Sequence, residues 1–220
     1  MSPPLALLAL AAALSLSPPA GARPEPDPRP APAPAPAPSR CFLSARSCRQ
    51  PPPASLDTEV PFACAVPGLE VTSWSRAVVI SAANCNEAEP KQEFQDQPEV
   101  RFPKASPDAF YTLVMVDPDA PGMLRGEYWL HWIVVNIKGS HFQIGNLDDA
   151  TEVASYVAPA PPERTGAHRY IFLALEQEAS ASPLAPAAPA ERPHFRLGPW
   201  LRGLRALCGP RAGVQFRAAF

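Results

Sequence analysis

Three apolar runs stand out in the second half of the chain. Tyr111 to Val116 (YTLVMV) is rich in β-branched and aromatic residues and stops abruptly at an Asp-Pro turn. Tyr128 to Ile137 (YWLHWIVVNI) is apolar on both faces, so it is expected to be a central strand covered on each side. Arg169 to Leu175 (RYIFLAL) is the third. Leu69–Val71 and Ala77–Ile80 read as weaker strands, while Gly139, Gly145 and the stretch from Pro159 to Pro162 mark loops. Near the C-terminus, Pro199 suits a first helical position, and Trp200, Leu201, Leu204 and Leu207 follow at helical spacing. Gly209-Pro210 is expected to stop that helix. Short strands, Gly/Pro turns and little helix predict an antiparallel β-sandwich.

The polar residues inside these runs carry the candidate chemistry. Alternation places Trp129, His131 and Ile133 on one face of their strand, and His168, Tyr170 and Phe172 on one face of theirs. The first strand ends in VDPDAPG, residues 116–122, which brings Asp117 and Asp119 to the same neighbourhood. A metal site built from Asp117, Asp119, His131 and His168 is one reading, and a metal-dependent hydrolase would follow from it. A carboxylate pair is a poor fit, because two acids two residues apart on a rigid turn diverge. No GxSxG elbow is present for a serine triad. Two histidines with Tyr and Trp suit a small phosphate ester: imidazole N–H groups and turn amides donate to phosphate, and aromatic faces and a carboxylate hold an ammonium. A binding pocket without turnover is the simplest account. In it Asp117 closes the strand towards the pocket, and Asp119 ties the turn through backbone hydrogen bonds. Anion binding is then expected to strengthen as pH falls through the histidine range.

Composition changes this picture mainly at the N-terminus. Residues 1–22 form an apolar run closing in Ala20-Gly21-Ala22, the pattern of a secretory signal peptide. Residues 23–56 are a Pro/Ala-rich disordered segment, which accounts for many of the 32 prolines. Residues 57–220 are then one domain, and the mature protein is expected to be secreted, extracellular or luminal. No later stretch is apolar enough for a transmembrane segment. Of five cysteines, Cys41, Cys48, Cys64 and Cys85 lie close together and should give one or two disulfide bonds, leaving Cys208 as a free buried thiol or an intermolecular partner. The net charge of −2 says little; from Ala179 onward Glu191 is the only acid against six arginines, without any nucleic-acid motif.

YTLVMVDPDAPG, HWIVVNIKG and PPERTGAHRYIFLALEQ, in that order, resemble the phosphatidylethanolamine-binding protein (PEBP) family, also called the Raf kinase inhibitor protein family, over roughly residues 60–220. The resemblance implies an all-β dominated, antiparallel Greek-key β-sandwich with a few short helices. It implies a ligand-binding pocket at Asp117, Trp129, His131, His168 and Tyr170, with Pro161 in the loop that forms another wall. It implies non-enzymatic binding of a phospholipid headgroup such as phosphorylethanolamine, or of a small phosphate anion, with no catalytic residue, metal or cofactor. A signalling role through a protein partner is a further implication, with a pocket-independent inhibitor of a kinase pathway or serine protease as the alternative. A monomer is expected. The chain ends at Phe220, before the usual C-terminal helix of the family, which normally brings a tyrosine to the pocket mouth.

Overall fold

The computed structural model describes residues 62–178, 183–204 and 207–220. The signal-peptide and Pro/Ala-rich readings, and Cys41 and Cys48, lie outside these residues. Among the described residues, eight strands form two sheets. The smaller has the order β2-β1-β3, built from β1 (Glu70–Thr72), β2 (Val79–Ile80) and β3 (Glu99–Arg101). The larger has the order β6-β5-β4-β7-β8, built from β4 (Phe110–Asp117), β5 (Trp129–Lys138), β6 (Thr151–Ala154), β7 (His168–Gln177) and β8 (Leu207–Ala218). All pairs between neighbouring strands are antiparallel. Strands β4, β5 and β6 are consecutive neighbours and β7 returns beside β4, which is the Greek-key order.

The three strong sequence strands are β4, β5 and β7. The middle position belongs to β4, not to β5. Its run is buried from Tyr111 to Asp117 because strands flank it on both sides and side chains cover both faces. Strand β5 is second from the edge, yet still paired on both sides. The inner core lies between the sheets: Val71, Ile80 and Val100 meet Leu113, Met115, Trp132, Phe172 and Phe216. The outer face of the large sheet, with Val114, Val116, Ile133 and Ile171, is covered by Leu184, Phe195 and the helix Leu197–Leu204. A second short helix spans Gly139–Phe142.

Two expectations fail at the C-terminal end. Gly209 and Pro210 do not terminate the helix; they lie within β8, a twelve-residue strand absent from the sequence reading. Gly209 sits at φ +113, where only glycine is comfortable, and the register against β7 shifts close by, between Ala174 and Glu176. Cys208 is buried and disulfide-bonded, so it is neither a free thiol nor an odd cysteine awaiting a second chain.

Strand β8 would be an open sheet edge, but two segments cover it. Gly213 N–H donates to Val66 O at 2.7 Å. Further along, Asn86 N–H donates to Gln215 O at 2.7 Å, and Glu87 and Glu89 exchange backbone bonds with Arg217 at 2.8 Å. The disulfide Cys64–Cys85 joins these two straps. Covering an edge in this way removes a template for unwanted pairing.

Candidate functional site

The site forms at the end of β4 and the start of β7, beside a register shift in the pairing of β4 with β5. Strand β4 ends at Asp117, and the following Pro fixes a turn in which Asp119 N–H donates to Asp117 Oδ1 at 2.7 Å. The other oxygen, Oδ2, faces His168 Nδ1 at 2.8 Å, with both residues almost fully buried. Asp119 turns the opposite way. Its carboxylate accepts from Arg169 N–H and Nε at 2.8 Å and from Nη2 at 2.7 Å. The bond within the turn is therefore made by Asp117, while Asp119 fastens the turn to β7, which corrects the role expected for it. The four-residue constellation of Asp117, Asp119, His131 and His168 is not assembled, because Asp119 is committed to Arg169.

His131 owes its position to a β-bulge. Met115 pairs with Trp132 and Val116 with Leu130, so His131 is the extra residue. The bulge breaks the period-two pattern. Trp129 and His131 line the cavity, but Ile133 packs in the outer cluster beside Leu130, contrary to the alternation reading. His131 Nδ1 lies 2.6 Å from Val157 O, and Val157 N–H returns a bond to His131 O at 2.9 Å. A carbonyl only accepts, so Nδ1 carries the proton and Nε2 keeps its lone pair. Arg192 Nη1 also donates to His131 O at 3.0 Å.

Tyr170 meets His131 edge-on at 5.2 Å and stacks on Phe216 at 5.2 Å, which fixes its ring. His168 Nε2 lies 2.8 Å from Thr165 Oγ1, and Thr165 donates to Pro162 O at 2.7 Å. Both ring nitrogens of His168 thus have protein partners. A free His168 N–H for a ligand, as read from the sequence, is not present.

These residues enclose a cavity of about 310 Å³ lined by Asp117, Trp129, His131, His168 and Tyr170, with Ala120, Pro121, Val157, Ala158, Ala160 and Pro162. Pro161 is not part of the wall: it is buried in the protein, and Ala160 and Pro162 on either side face the cavity. Val157, Ala158, Thr165 and Arg192 went unnoticed in the sequence. The first two carry no polar atom that would single them out, and the others act only through contacts made by folding.

Burial dominates the electrostatics. It raises the Asp117 carboxyl above its ordinary range, although the bonds from His168 and Asp119 N–H pull the other way. Burial alone would also raise Asp119, but the guanidinium and backbone N–H of Arg169 outweigh it and hold that carboxyl low. Desolvation drives His131 down to about 4, with Arg192 and His168 adding to the effect and the Val157 bond opposing it. The Tyr170 hydroxyl is pushed well up by burial and by Asp117. At neutral pH His131 is uncharged, so anion binding cannot follow protonation of this imidazole near its usual value.

The family model described as phosphatidylethanolamine-binding protein matches residues 60–201. A 26 kDa secreted antigen of Toxocara canis is 36% identical over 141 residues, covering 59% of this chain and 52% of that protein. The chain thus spans about half the length of that curated relative. A phosphatidylethanolamine-binding protein from Plasmodium vivax superposes with a TM-score of 0.54 at 17% identity, over 76% of this chain and 91% of the other. A carboxypeptidase Y inhibitor, solved in complex with its cognate proteinase, gives 0.53 at 20% identity, over 70% and 83%. At these identities the two structures establish a shared fold.

Proposed function

Because the chain belongs to the phosphatidylethanolamine-binding protein family, we propose that it binds, without turning over, a small phosphorylated headgroup such as phosphorylethanolamine in the cavity at the end of β4. The observation that carries this reading is the convergence of Asp117, His131, His168 and Tyr170 on one small cavity with Trp129 at its side. A volume of about 310 Å³ lies at the small end of ligand pockets, enough for a headgroup but not for acyl chains. The ligand-binding residues proposed are Asp117, Trp129, His131, His168 and Tyr170. Tyr170 donates its hydroxyl, Trp129 packs against the organic part, and the Asp117–His168 pair holds the wall.

Disulfide bonding at Cys64, Cys85 and Cys208 fits an oxidising compartment, so the proposed place of action is extracellular or luminal. The test is calorimetric titration of phosphorylethanolamine into the full chain. Saturable one-to-one binding that Trp129→Ala weakens is expected; no binding at millimolar ligand overturns the reading.

A further inference from the structure

We infer that the cavity takes a phosphoryl group together with one proton, and so selects phosphomonoesters over anions that cannot carry one. This rests on the anion-binding reading above and goes beyond it by specifying the protonation state of the ligand.

The argument is a count of donors and acceptors. His131 spends its only proton on Val157 O at 2.6 Å, which leaves Nε2 as a lone pair without a hydrogen-bond partner among the described residues. His168 has Asp117 at one ring nitrogen and Thr165 at the other, at 2.8 Å each. Asp117 is an acceptor whose two oxygens already face Asp119 N–H and His168. Among the side chains at the wall, the Tyr170 hydroxyl and the Trp129 indole N–H are the donors that remain. A fully ionised phosphate offers only lone pairs, so it would face the lone pair of His131 and the carboxylate of Asp117 together. A phosphate monoanion turns its P–OH towards His131 Nε2 and converts one repulsion into an O–H···N hydrogen bond.

The groups around His131 make the imidazole itself a poor source of that proton. Asp117 approaches from β4, His168 and Tyr170 from β7, and Arg192 from the segment that pairs with the start of β5. The stretch around Val157 and Ala158 brings only backbone and apolar atoms. Burial together with Arg192 and His168 keeps the ring neutral down to about 4. The second ionisation of a phosphomonoester lies near ~6, so the ligand is the group that holds the proton more readily.

A free phosphomonoester supplies this P–OH, whereas an intact lipid, whose headgroup is a diester without a titratable proton, shares the phosphoryl group and the amine but not the proton. The experiment compares phosphorylethanolamine, its isostere ethanolamine O-sulfate, and the diester glycerophosphorylethanolamine on the full chain, by calorimetry in two buffers of different ionisation enthalpy. For phosphorylethanolamine, nearly one proton is taken up at pH 7.5, and affinity falls about tenfold per pH unit above pH ~6.5. The sulfate and the diester should bind about tenfold more weakly or worse at pH ~6.5, with flat profiles, since neither satisfies the buried acceptor. Equal affinity for the sulfate, or no dependence on buffer, overturns the inference while leaving the anion-binding reading intact. A diester bound as tightly as the monoester also overturns it and points to intact lipid. Absence of binding by all three ligands removes both.

Discussion

The double replacement Cys64→Ala/Cys85→Ala tests whether the covered edge of β8 depends on the disulfide between its two straps. The bond closes a loop of sequence separation 21. Chain entropy for a loop of that length gives about 3 kcal/mol of stabilisation through the unfolded state. In the folded protein the effect should concentrate where the straps dock. The amides of Gly213 and Arg217 donate to Val66 and Glu87, whereas those of Val214 and Phe216 point towards β7 by alternation. Urea unfolding should show a loss of about 3 kcal/mol with a raised m-value, since the unfolded chain without the cross-link exposes more surface. Hydrogen exchange should show Gly213, Arg217, Asn86 and Glu89 losing protection beyond the global change, while Val214 and Phe216 lose only the global amount. A stability change below about 1 kcal/mol, or equal loss of protection at outward and inward amides, would refute the coupling of disulfide to edge.

Asp119→Asn removes a charge-assisted contact with Arg169 and should cost on the order of 2 kcal/mol at neutral pH in denaturant unfolding. Because the folded carboxyl is held low, this stabilisation is complete above the unfolded value of about 3.9 and fades as pH falls through the folded value, so the two proteins should converge in acid. Tyr170→Phe should weaken phosphorylethanolamine about fivefold in calorimetry without altering the fold, since the ring keeps its stack on Phe216. Asn136 sits at φ 62 and bonds the backbone of Leu184 through both ends of its amide. Asn136→Gly and Asn136→Ala should both destabilise in thermal unfolding, with Ala worse by about 1 kcal/mol because it adds left-handed strain.

The parts of the fold legible in the sequence are those whose burial is two-sided. Strands β4, β5 and β7 announce themselves because both faces are covered, so nearly every position is apolar. Strands β3 and β6 are three and four residues long, with charged or exposed positions, and carry no periodic signal. Strand β8 was hidden behind Gly209-Pro210, which read as a helix stop. Yet Val214, Phe216 and Ala218 alternate in sequence with Gln215 and Arg217, the period of a strand, although of the two polar residues only Arg217 is exposed. In the site, the histidines and Asp117 could be found from their places in the strands. The role of each could not, because it depends on which ring nitrogen meets Val157, Asp117 or Thr165. The misplacement of Ile133 has one cause: a bulge adds a residue without leaving a mark in composition.

The bulge also explains why the site is here. A regular β5 would alternate without interruption from Trp129 to Ile133; the inserted residue lets Trp129 and His131 face the cavity while Ile133 stays in the outer core. The Asp-Pro turn does the same for β4, sending Asp117 inward and Asp119 outward to Arg169. The two aspartates then act on stability with opposite sign. Asp119, held low, favours the folded state more as pH rises through the acid range. Asp117, held high by burial, binds its proton more tightly when folded. Its contribution therefore declines as pH rises from the unfolded value through the folded one. Burial of the Asp117 carboxylate thus works against stability, and Arg169 on Asp119 anchors the turn that holds it there. A cost of that kind, placed beside a histidine whose second nitrogen has no hydrogen-bond partner among the described residues, is what a cavity shaped for a ligand rather than for packing would show.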